Sequence, residues 1–222
     1  MYSPAPSATA PPIAAAAPPA APLTGALLLG GRSRRMGRDK ALLPAAGEPL
    51  WRRQARVLHE AGAERVSVVL RRRQLPPPGL ADASARVLRD RFPGAGPLAG
   101  LHAALSAEPP GALVMLLAVD LPRIDAAWFV WLLRFCQPGA GAAACAAGVP
   151  EPLAAIYPAE AAPLAAAALA AGDCSLRRLL PLLAGRGLLR LAEIPPGHRE
   201  IFANCNTPAD YAALFPETSP TT

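Results

Sequence analysis

The sequence predicts one α/β domain: a doubly wound, mostly parallel sheet with helices on both of its faces. Short apolar runs of strand length alternate along the chain with amphipathic or alanine-rich segments of helix length. That alternation is typical of βαβ units. Several of the apolar runs contain no polar residue, as expected for strands that are buried on both faces. A chain of 222 residues is long enough to bury such a core.

The first predicted strand, residues 26–29, ends directly at a glycine pair. Gly30 and Gly31 leave their backbone amides open to a bulky anion, because no side chain covers them. Residues 32–40 then carry five cationic side chains: Arg32, Arg34, Arg35, Arg38 and Lys40. This pattern predicts a triphosphate-binding loop, and a tight strand-to-helix turn with solvated arginines is the alternative.

Two well-known glycine loops are excluded by their spacing. A P-loop requires G-x-x-x-x-G-K-[ST], whereas Gly31 and Gly37 enclose five residues and Arg38 follows. The dinucleotide fingerprint G-x-G-x-x-G is absent from the loop, and adjacent glycines do not replace it. The sequence therefore does not indicate a P-loop NTPase or a dehydrogenase.

Scarcity singles out three residues. Lys40 is the only lysine among 22 lysines and arginines, and Asn204 and Asn206 are the only asparagines. Arginine does not replace lysine where a compact ammonium must contact phosphate oxygens. We therefore interpret Lys40 as a functional side chain.

The next elements are a helix and two strands. Residues 50–61 have the apolar spacing of an amphipathic helix, which Gly62 ends. Residues 65–70 and 86–89 are predicted strands, and Asp90 follows the second of them. The triplet of residues 71–73 is all arginine; a solvated charge run is the simpler interpretation, and attraction of an anion is the alternative.

A glycine-containing helix start and an acidic strand end come next. Gly96, Pro97 and Gly100 open a predicted helix that extends to about residue 107, where a phosphate or a base edge can approach closely. Residues 112–119 form the most hydrophobic run and predict a central strand, which ends at Asp120. A carboxylate at that strand end beside a triphosphate needs an intervening cation, so we predict that Asp120 binds Mg²⁺. A helix N-cap is the alternative role for Asp120, but Asp125 already provides that cap.

The last third of the sequence continues the alternation. Strands are predicted at residues 142–147, 152–157 and 188–193, and helices at 160–171 and 175–183. Thr207 is predicted to cap a final helix that has Pro208 at its first position. Asn204 and Asn206 alternate just before this helix and are predicted to direct their amides at a ligand; stabilisation of a turn is the alternative.

Composition bounds the cellular setting. The net charge is +6, but the arginines form no stripe interleaved with aromatic residues, so nucleic acid is not an expected partner. The four cysteines show no C-x-x-C pairing, which indicates a reducing cytoplasm rather than a zinc site. No apolar stretch reaches membrane-spanning length, so no membrane association is expected. Residues 1–22 and 217–222 are predicted disordered tails that flank one domain at 23–216.

The motifs together resemble one enzyme family. They are LLGGRSRRMGRDKALLP, RDRFPGAGPLAGLHAAL, VDLP, EPLAAIY and NCNTPAD, and they cover residues 24–215. This set resembles the molybdenum cofactor guanylyltransferases, which are Rossmann-like nucleotidyltransferases. The resemblance implies transfer of GMP from GTP to the terminal phosphate of molybdopterin, with Mg²⁺ as cofactor and pyrophosphate as by-product. Other molybdenum cofactor biosynthesis proteins and acceptor molybdoenzymes are the protein partners that it implies.

The resemblance also assigns residues to roles. It implies that the nucleotide is bound through the backbone of Leu28, Leu29, Gly30 and Gly31. It also implies that Arg35 and Lys40 bind the triphosphate and that Asp90 contacts the nucleoside. Asp120 would bind nucleotide and Mg²⁺, residues 96–100 would shape the base pocket, and Asn204 and Asn206 would face molybdopterin. Arg35, Lys40 and Asp120 are the expected catalytic residues.

Two departures and two alternatives remain. Leu29 stands where relatives have alanine, and Leu70 and Arg71 stand where relatives often have asparagine, which leaves one nucleoside contact open. A cytidylyltransferase that uses CTP is the nearest alternative, although its relatives lack the glycine pair. A non-catalytic nucleotide-binding module of the same fold is the other.

Overall fold

The computed structural model describes residues 21–29, 39–45, 47–81, 85–146, 148–195 and 197–215. Its strands are β1 (Leu23–Leu28), β2 (Pro44–Ala45), β3 (Glu48–Pro49), β4 (Arg65–Leu70), β5 (Arg86–Arg89), β6 (Leu113–Ala118), β7 (Gly141–Ala146), β8 (Val149–Pro158) and β9 (Leu189–Glu193). Its α-helices are α1 (Leu50–Glu60), α2 (Gly96–Leu105), α3 (Ala126–Leu133), α4 (Ala162–Ala170), α5 (Leu176–Gly185) and α6 (Pro208–Leu214). The predicted tails lie outside the described residues, apart from residues 21 and 22.

Seven strands form the central sheet in the order β5-β4-β1-β6-β8-β7-β9. Neighbours β5, β4, β1 and β6 are parallel, and β7 is parallel to β9. Strand β8 runs antiparallel to both β6 and β7, while β2 and β3 form a separate small hairpin. This topology confirms the predicted doubly wound, mostly parallel sheet.

Helices cover both faces of the sheet. Alternate residues of β1 point to opposite faces, so Leu27 packs in a core with Trp51 of α1 and Phe129 of α3. Leu28 instead packs in a second core with Leu98 of α2, which continues towards α4 and α5. No helix within the described ranges is long and apolar enough to cross a membrane.

Local sequence signals predicted the starts of the helices more accurately than the starts of the strands. Asp125 caps α3 by accepting from the Trp128 N–H at 3.0 Å, and Thr207 caps α6 with a capping box, as predicted. Strand β1 begins at Leu23 rather than at residue 26, because Thr24 already pairs with Arg65 of β4. Similarly, β8 starts at residue 149 rather than 152, since its hairpin with β7 extends the ladder.

The parallel strands place three predicted site residues at one edge of the sheet. The Leu29 N–H donates to the Val69 carbonyl at 3.1 Å, and the Asp90 N–H donates to the Leu70 carbonyl at 3.0 Å. Asp120 follows β6, which is the neighbour of β1 on the side opposite β4. The strand order therefore reverses at β1, and open α/β sheets bind ligands in the crevice at such a point.

Gly141 of β7 is required by the close approach of β8. A Cβ atom at this position would lie 2.0 Å from the Ile156 carbonyl oxygen. We expect Gly141→Ala to force the two strands apart and to lower the free energy of unfolding by about 3 kcal/mol or more. Gly185→Ala is the matched control, because a Cβ there contacts nothing; it should stabilise helix α5 by about 0.5–1 kcal/mol. Urea unfolding of both variants measures the difference, and equal stabilities would contradict the packing.

Candidate functional site

One ammonium group brings three of the predicted site residues together. Lys40 Nζ donates a hydrogen bond to Asn206 Oδ1 at 2.6 Å and lies 3.7 Å from Asp120 Oδ2. The Lys40 side chain is only 12% exposed, and the Asp120 side chain is 28% exposed. This cluster, Lys40, Asp120 and Asn206, is called the phosphate corner below.

The backbone around Lys40 is fixed on both sides. Asp39 caps a short 3-10 helix, Lys40–Leu42, by accepting from the Ala41 N–H at 3.1 Å. The carbonyl of Pro44, just beyond that helix, accepts a 2.6 Å hydrogen bond from the Tyr211 hydroxyl. The C-terminal helix α6 therefore holds the segment that presents the lysine.

Asp210 and Cys205 position the segment that carries Asn206. The Asp210 carboxylate accepts from the backbone N–H groups of Asn206 and Thr207 at 2.9 and 2.8 Å. These hydrogen bonds hold the pKa of Asp210 below its ordinary value, so the group is ionised at neutral pH. One residue earlier, the Cys205 N–H donates to the Asp120 carbonyl at 2.9 Å. Asn206 and Asp120 are thus tied through the backbone as well as through Lys40.

Helix α1 supports the Asp120 loop from the other side. Gln54 is fully buried and its Nε2 donates to the Leu121 carbonyl at 2.7 Å. Arg53 donates to the Pro122 carbonyl at 2.5 Å and to Gln54 Oε1 at 3.0 Å. Burial, with a smaller contribution from nearby Arg56, lowers the pKa of the Arg53 guanidinium. The two carbonyls that follow Asp120 are therefore held by α1.

A cavity of about 700 Å³ lies beside the phosphate corner, at the ends of β1, β4 and β5. It is lined by Leu28, Val69, Leu70, Arg71, Arg72, Arg73, Asp90, Pro93, Gly94, Gly96, Pro97 and Gly100. Gly100 lets α2 pack closely on β1, since a Cβ there would lie 2.8 Å from Leu28 Cδ2. Leu28 links the two parts of the site, because its carbonyl accepts from the N–H of Val119, the residue before Asp120.

Asp90 gives this cavity an unsatisfied acceptor. The residue is only 9% exposed, and Oδ1 has no hydrogen-bond partner among the described residues. Burial raises the pKa of the carboxyl group, while the Arg72 backbone amide and the Arg71 charge oppose that shift. A buried acceptor without a donor is unfavourable, so a ligand with N–H or O–H donors would stabilise this position.

The donor set suits a hard cation that is shared with phosphate. Within the described residues, no cluster of three or more His, Cys, Asp or Glu side chains is present. Asp120 contributes one carboxylate, and Mg²⁺ is typically bound by one or two carboxylates together with substrate phosphates. The Asp120 carboxylate therefore fits a metal ion that is shared with bound phosphate groups.

Comparison with known proteins identifies the family. The family model of the MobA-like NTP transferase domain matches residues 25–194. The chain belongs to this family. A probable molybdenum cofactor guanylyltransferase from Opitutus terrae is 45% identical over 193 residues, covering 86% of this chain and 94% of that protein. A relative of the same name from Deinococcus radiodurans is 36% identical over 201 residues, covering 87% and 94%.

Solved structures agree with the fold of this MobA-like transferase. A nucleotidyl transferase from Methanothermobacter thermautotroptrophicus superposes with a TM-score of 0.68 at 19% identity, covering 86% of this chain and 95% of that one. Molybdopterin-guanine dinucleotide biosynthesis protein A from Archaeoglobus fulgidus gives a TM-score of 0.62 at 24% identity, covering 86% and 96%. At these identities the likeness concerns the fold.

The candidate site contains most of the residues singled out from the sequence. Lys40, Asp120 and Asn206 meet at the phosphate corner, and five other predicted residues line the cavity: Leu28, Asp90, Gly96, Pro97 and Gly100. Leu29 follows at the end of β1, and Asn204 lies exposed two residues before Asn206. Gly30, Gly31 and Arg35, with the rest of the basic loop at residues 30–38, lie outside the described residues.

Sequence reasoning missed the residues that support the site. Gln54 falls on the apolar stripe of α1 with Leu50, Val57 and Leu58, and a polar residue on a buried stripe is a detectable signal. Asp210 completes the T-x-x-D capping box of α6, which the sequence also shows. The tie from Gln74 Nε2 to the Leu29 carbonyl at 3.1 Å has no local signal, because it joins two separate loops.

The raised pKa of Asp90 predicts how the stability of the protein changes with pH. The folded protein disfavours the ionised form, so this group lowers stability as pH rises above the ordinary carboxyl pKa. We therefore expect Asp90→Asn to be more stable than wild type at neutral pH, with the gain disappearing as the pH falls below that value. Urea unfolding at neutral pH and at about pH 3, below the ordinary carboxyl pKa, measures this difference.

Asp173 provides a control of opposite sign. Its pKa is lowered by hydrogen bonds from the Arg178 side chain and the Ser175 N–H. Asp173 therefore stabilises the folded state above its ordinary pKa, and that contribution is lost as the pH falls through the lowered value. Asp173→Asn should be less stable than wild type at neutral pH. The same direction of change for both variants would contradict the assignment of Asp90.

Proposed function

We propose that this chain is a molybdenum cofactor guanylyltransferase. It transfers GMP from GTP to the terminal phosphate of molybdopterin and releases pyrophosphate, which yields molybdopterin guanine dinucleotide. The observation that carries the proposal is the meeting of Lys40, Asp120 and Asn206 at the sheet edge, next to a nucleoside-sized cavity. The names of the relatives from Opitutus terrae and Deinococcus radiodurans support the same activity.

The two parts of the site accommodate the two parts of GTP. The nucleoside occupies the cavity, where Asp90 Oδ1 accepts from it and Gly96 and Pro97 allow its close approach. Leu28 and Leu29 bind the nucleotide through their backbone, and the same role is proposed for Gly30 and Gly31, which lie outside the described residues. Arg35 and Lys40 bind the triphosphate, since both supply positive charge and N–H donors.

Transfer then needs positioning and charge neutralisation. A terminal phosphate oxygen of molybdopterin attacks the α-phosphorus of GTP in line, and the bond from that phosphorus to the β-phosphate oxygen breaks. Lys40 and Arg35 offset the negative charge that develops on the departing pyrophosphate. Asp120 would hold Mg²⁺, which neutralises phosphate charge when it is bound. No covalent intermediate with a protein side chain is needed.

The acceptor approaches from the side of the C-terminal segment. Asn206 is the residue of that segment that contacts Lys40, so an acceptor bound by Asn204 and Asn206 lies next to the triphosphate. Holding both reactants in one geometry lowers the entropic barrier to transfer. The hydrogen bond from the Cys205 N–H to the Asp120 carbonyl holds the acceptor-binding segment at a fixed position relative to the Asp120 carboxylate.

The cellular setting follows from the same proposal. The enzyme acts in the cytoplasm, where its four scattered cysteines remain reduced. Its protein partners are other molybdenum cofactor biosynthesis proteins, which deliver molybdopterin, and acceptor molybdoenzymes, which receive the product. Nucleic acid and membranes are not partners in this scheme.

The decisive measurement is pyrophosphate release from Mg-GTP and, separately, from Mg-CTP, with molybdopterin present and absent. We expect turnover with GTP that depends on molybdopterin. A preference for CTP would instead make the protein a molybdopterin cytidylyltransferase. Nucleotide binding without turnover, by folded protein with intact molybdopterin, would indicate a non-catalytic binding module.

Removal of either charged group at the phosphate corner should abolish transfer. We expect Lys40→Ala and Asp120→Ala each to lower kcat by about 10²–10³ or more, with an unchanged far-UV circular dichroism spectrum. Arg190→Ala is the control, because Arg190 is exposed on β9 at the far edge of the sheet. Wild-type activity in the Asp120 variant would remove the metal assignment.

A further inference from the structure

The loop that follows β4 is built as a wall of the nucleoside cavity. Arg89 lies at the end of β5, and its Nη1 atom is within hydrogen-bond distance of three carbonyls. They belong to Arg71, Arg72 and Gln74, at 3.1, 3.2 and 2.8 Å. Three carbonyls that converge on one guanidinium nitrogen fix the path of residues 71–74. The backbone of the arginine triplet is therefore held in place, while its three side chains are exposed.

Gln74 then orients Arg71 within this loop. Its Oε1 accepts from both the backbone N–H and the Nε–H of Arg71, each at 3.3 Å. Its Nε2 donates to the Leu29 carbonyl at 3.1 Å, at the start of the predicted nucleotide-binding loop. A guanidinium carries five donors in a rigid fork, and Nε uses one of them here. Gln74 thus sets the direction of the Arg71 side chain relative to the nucleotide site.

The cavity combines opposite polar groups with apolar walls. Arg71 is a cationic donor and Asp90 an anionic acceptor on its lining, and Leu28 and Val69 contribute apolar surface to the same lining. The Arg71 charge is close enough to lower the pKa of the Asp90 carboxyl, against the larger effect of burial. A ligand that fits this cavity would present hydrogen-bond donors to Asp90 and acceptors to Arg71, together with surface that contacts the apolar lining residues.

Guanine matches these groups with a pair of adjacent donors beside a pair of adjacent acceptors, a combination that adenine and cytosine lack. Its N1–H and 2-amino groups are donors, and its O6 and N7 atoms are adjacent acceptors that suit a bidentate arginine. Adenine presents an amino donor in place of O6, and cytosine presents an amino donor at N4. Either of these bases would direct N–H groups towards the Arg71 guanidinium.

We propose that Arg71 is a specificity-determining residue that donates to O6 and N7 of guanine, while Asp90 accepts from the N1–H and 2-amino groups. Gln74 is the positioning residue that holds Arg71 in place for this contact. The inference rests on the proposed function, since it concerns the base of the nucleotide that the enzyme uses. It adds the residue that distinguishes guanine from the other bases.

The test measures the affinity of the full chain for Mg-nucleotides by calorimetry, without molybdopterin. The probes are GTP, 7-deaza-GTP (no N7 acceptor), 6-thio-GTP (a weaker acceptor at position 6) and ITP (no 2-amino group). In wild type, we expect all three analogues to bind more weakly than GTP. Arg71→Met should weaken GTP binding about tenfold or more and bring GTP, 7-deaza-GTP and 6-thio-GTP to similar affinities. The preference for GTP over ITP should persist, because Asp90 is intact.

Two further variants separate charge from geometry. Arg86→Met is the control for Arg71→Met, because it also removes one positive charge. Arg86 lies on β5 and is not among the cavity-lining residues; its side chain donates to the Ala107 carbonyl at 3.3 Å. This variant should bind all four nucleotides as wild type does. Gln74→Leu leaves the net charge unchanged and should reduce discrimination against 7-deaza-GTP and 6-thio-GTP.

The possible failures are distinguishable. If Arg71→Met discriminates against 7-deaza-GTP and 6-thio-GTP as strongly as wild type, the role of Arg71 is overturned while guanine use stands. If Arg86→Met weakened GTP binding as much as Arg71→Met does, the loss of affinity would reflect net charge alone, and the role of Arg71 would again be overturned. Full discrimination by Gln74→Leu would overturn the positioning role of Gln74. Failure of the wild-type protein to bind GTP at all would overturn the proposed function itself.

Discussion

The hydrogen bond from Lys40 to Asn206 connects two segments that are 166 residues apart in the sequence. Around it, the Cys205 N–H bonds the Asp120 carbonyl and the Tyr211 hydroxyl bonds the carbonyl of Pro44. The parallel sheet fixes the position of Asp120 at its edge, and these long-range contacts place Lys40 and Asn206 next to it. The phosphate corner depends on them, because neither end of the chain forms it alone.

The site combines charges that are only partly compensated by the protein. Lys40 lies 3.7 Å from Asp120, which offsets one carboxylate in the absence of a nucleotide, whereas Asp90 Oδ1 has no partner among the described residues. Unfavourable burial of a titratable group beside a cavity is typical of functional sites. The ligand, rather than the fold, completes the hydrogen bonding at this end of the sheet. Local stability is lower there in exchange for affinity.

The fold could be predicted from the sequence because its signals are local. Apolar runs identify the strands, and Asp125 and Thr207 mark helix starts through their own caps. Lys40 and Asp120 could be found from scarcity and from position at a strand end. The pairing of Lys40 with Asn206, and the tie from Gln74 to Leu29, could not be predicted, because both depend on how separate loops meet once the sheet has formed.

The late position of Asn206 bears on synthesis of the protein. Residues 28–100 include the described lining of the cavity and emerge from the ribosome long before the segment that contacts Lys40, although a domain generally folds as a unit. A polypeptide that ends just before residue 200 would contain all the strands of the central sheet and the cavity-lining residues, but would lack Asn206 and helix α6. Loss of this segment would also remove the hydrogen bond from the Tyr211 hydroxyl to the Pro44 carbonyl, so the last helix bears on the position of Lys40 as well as on the acceptor side.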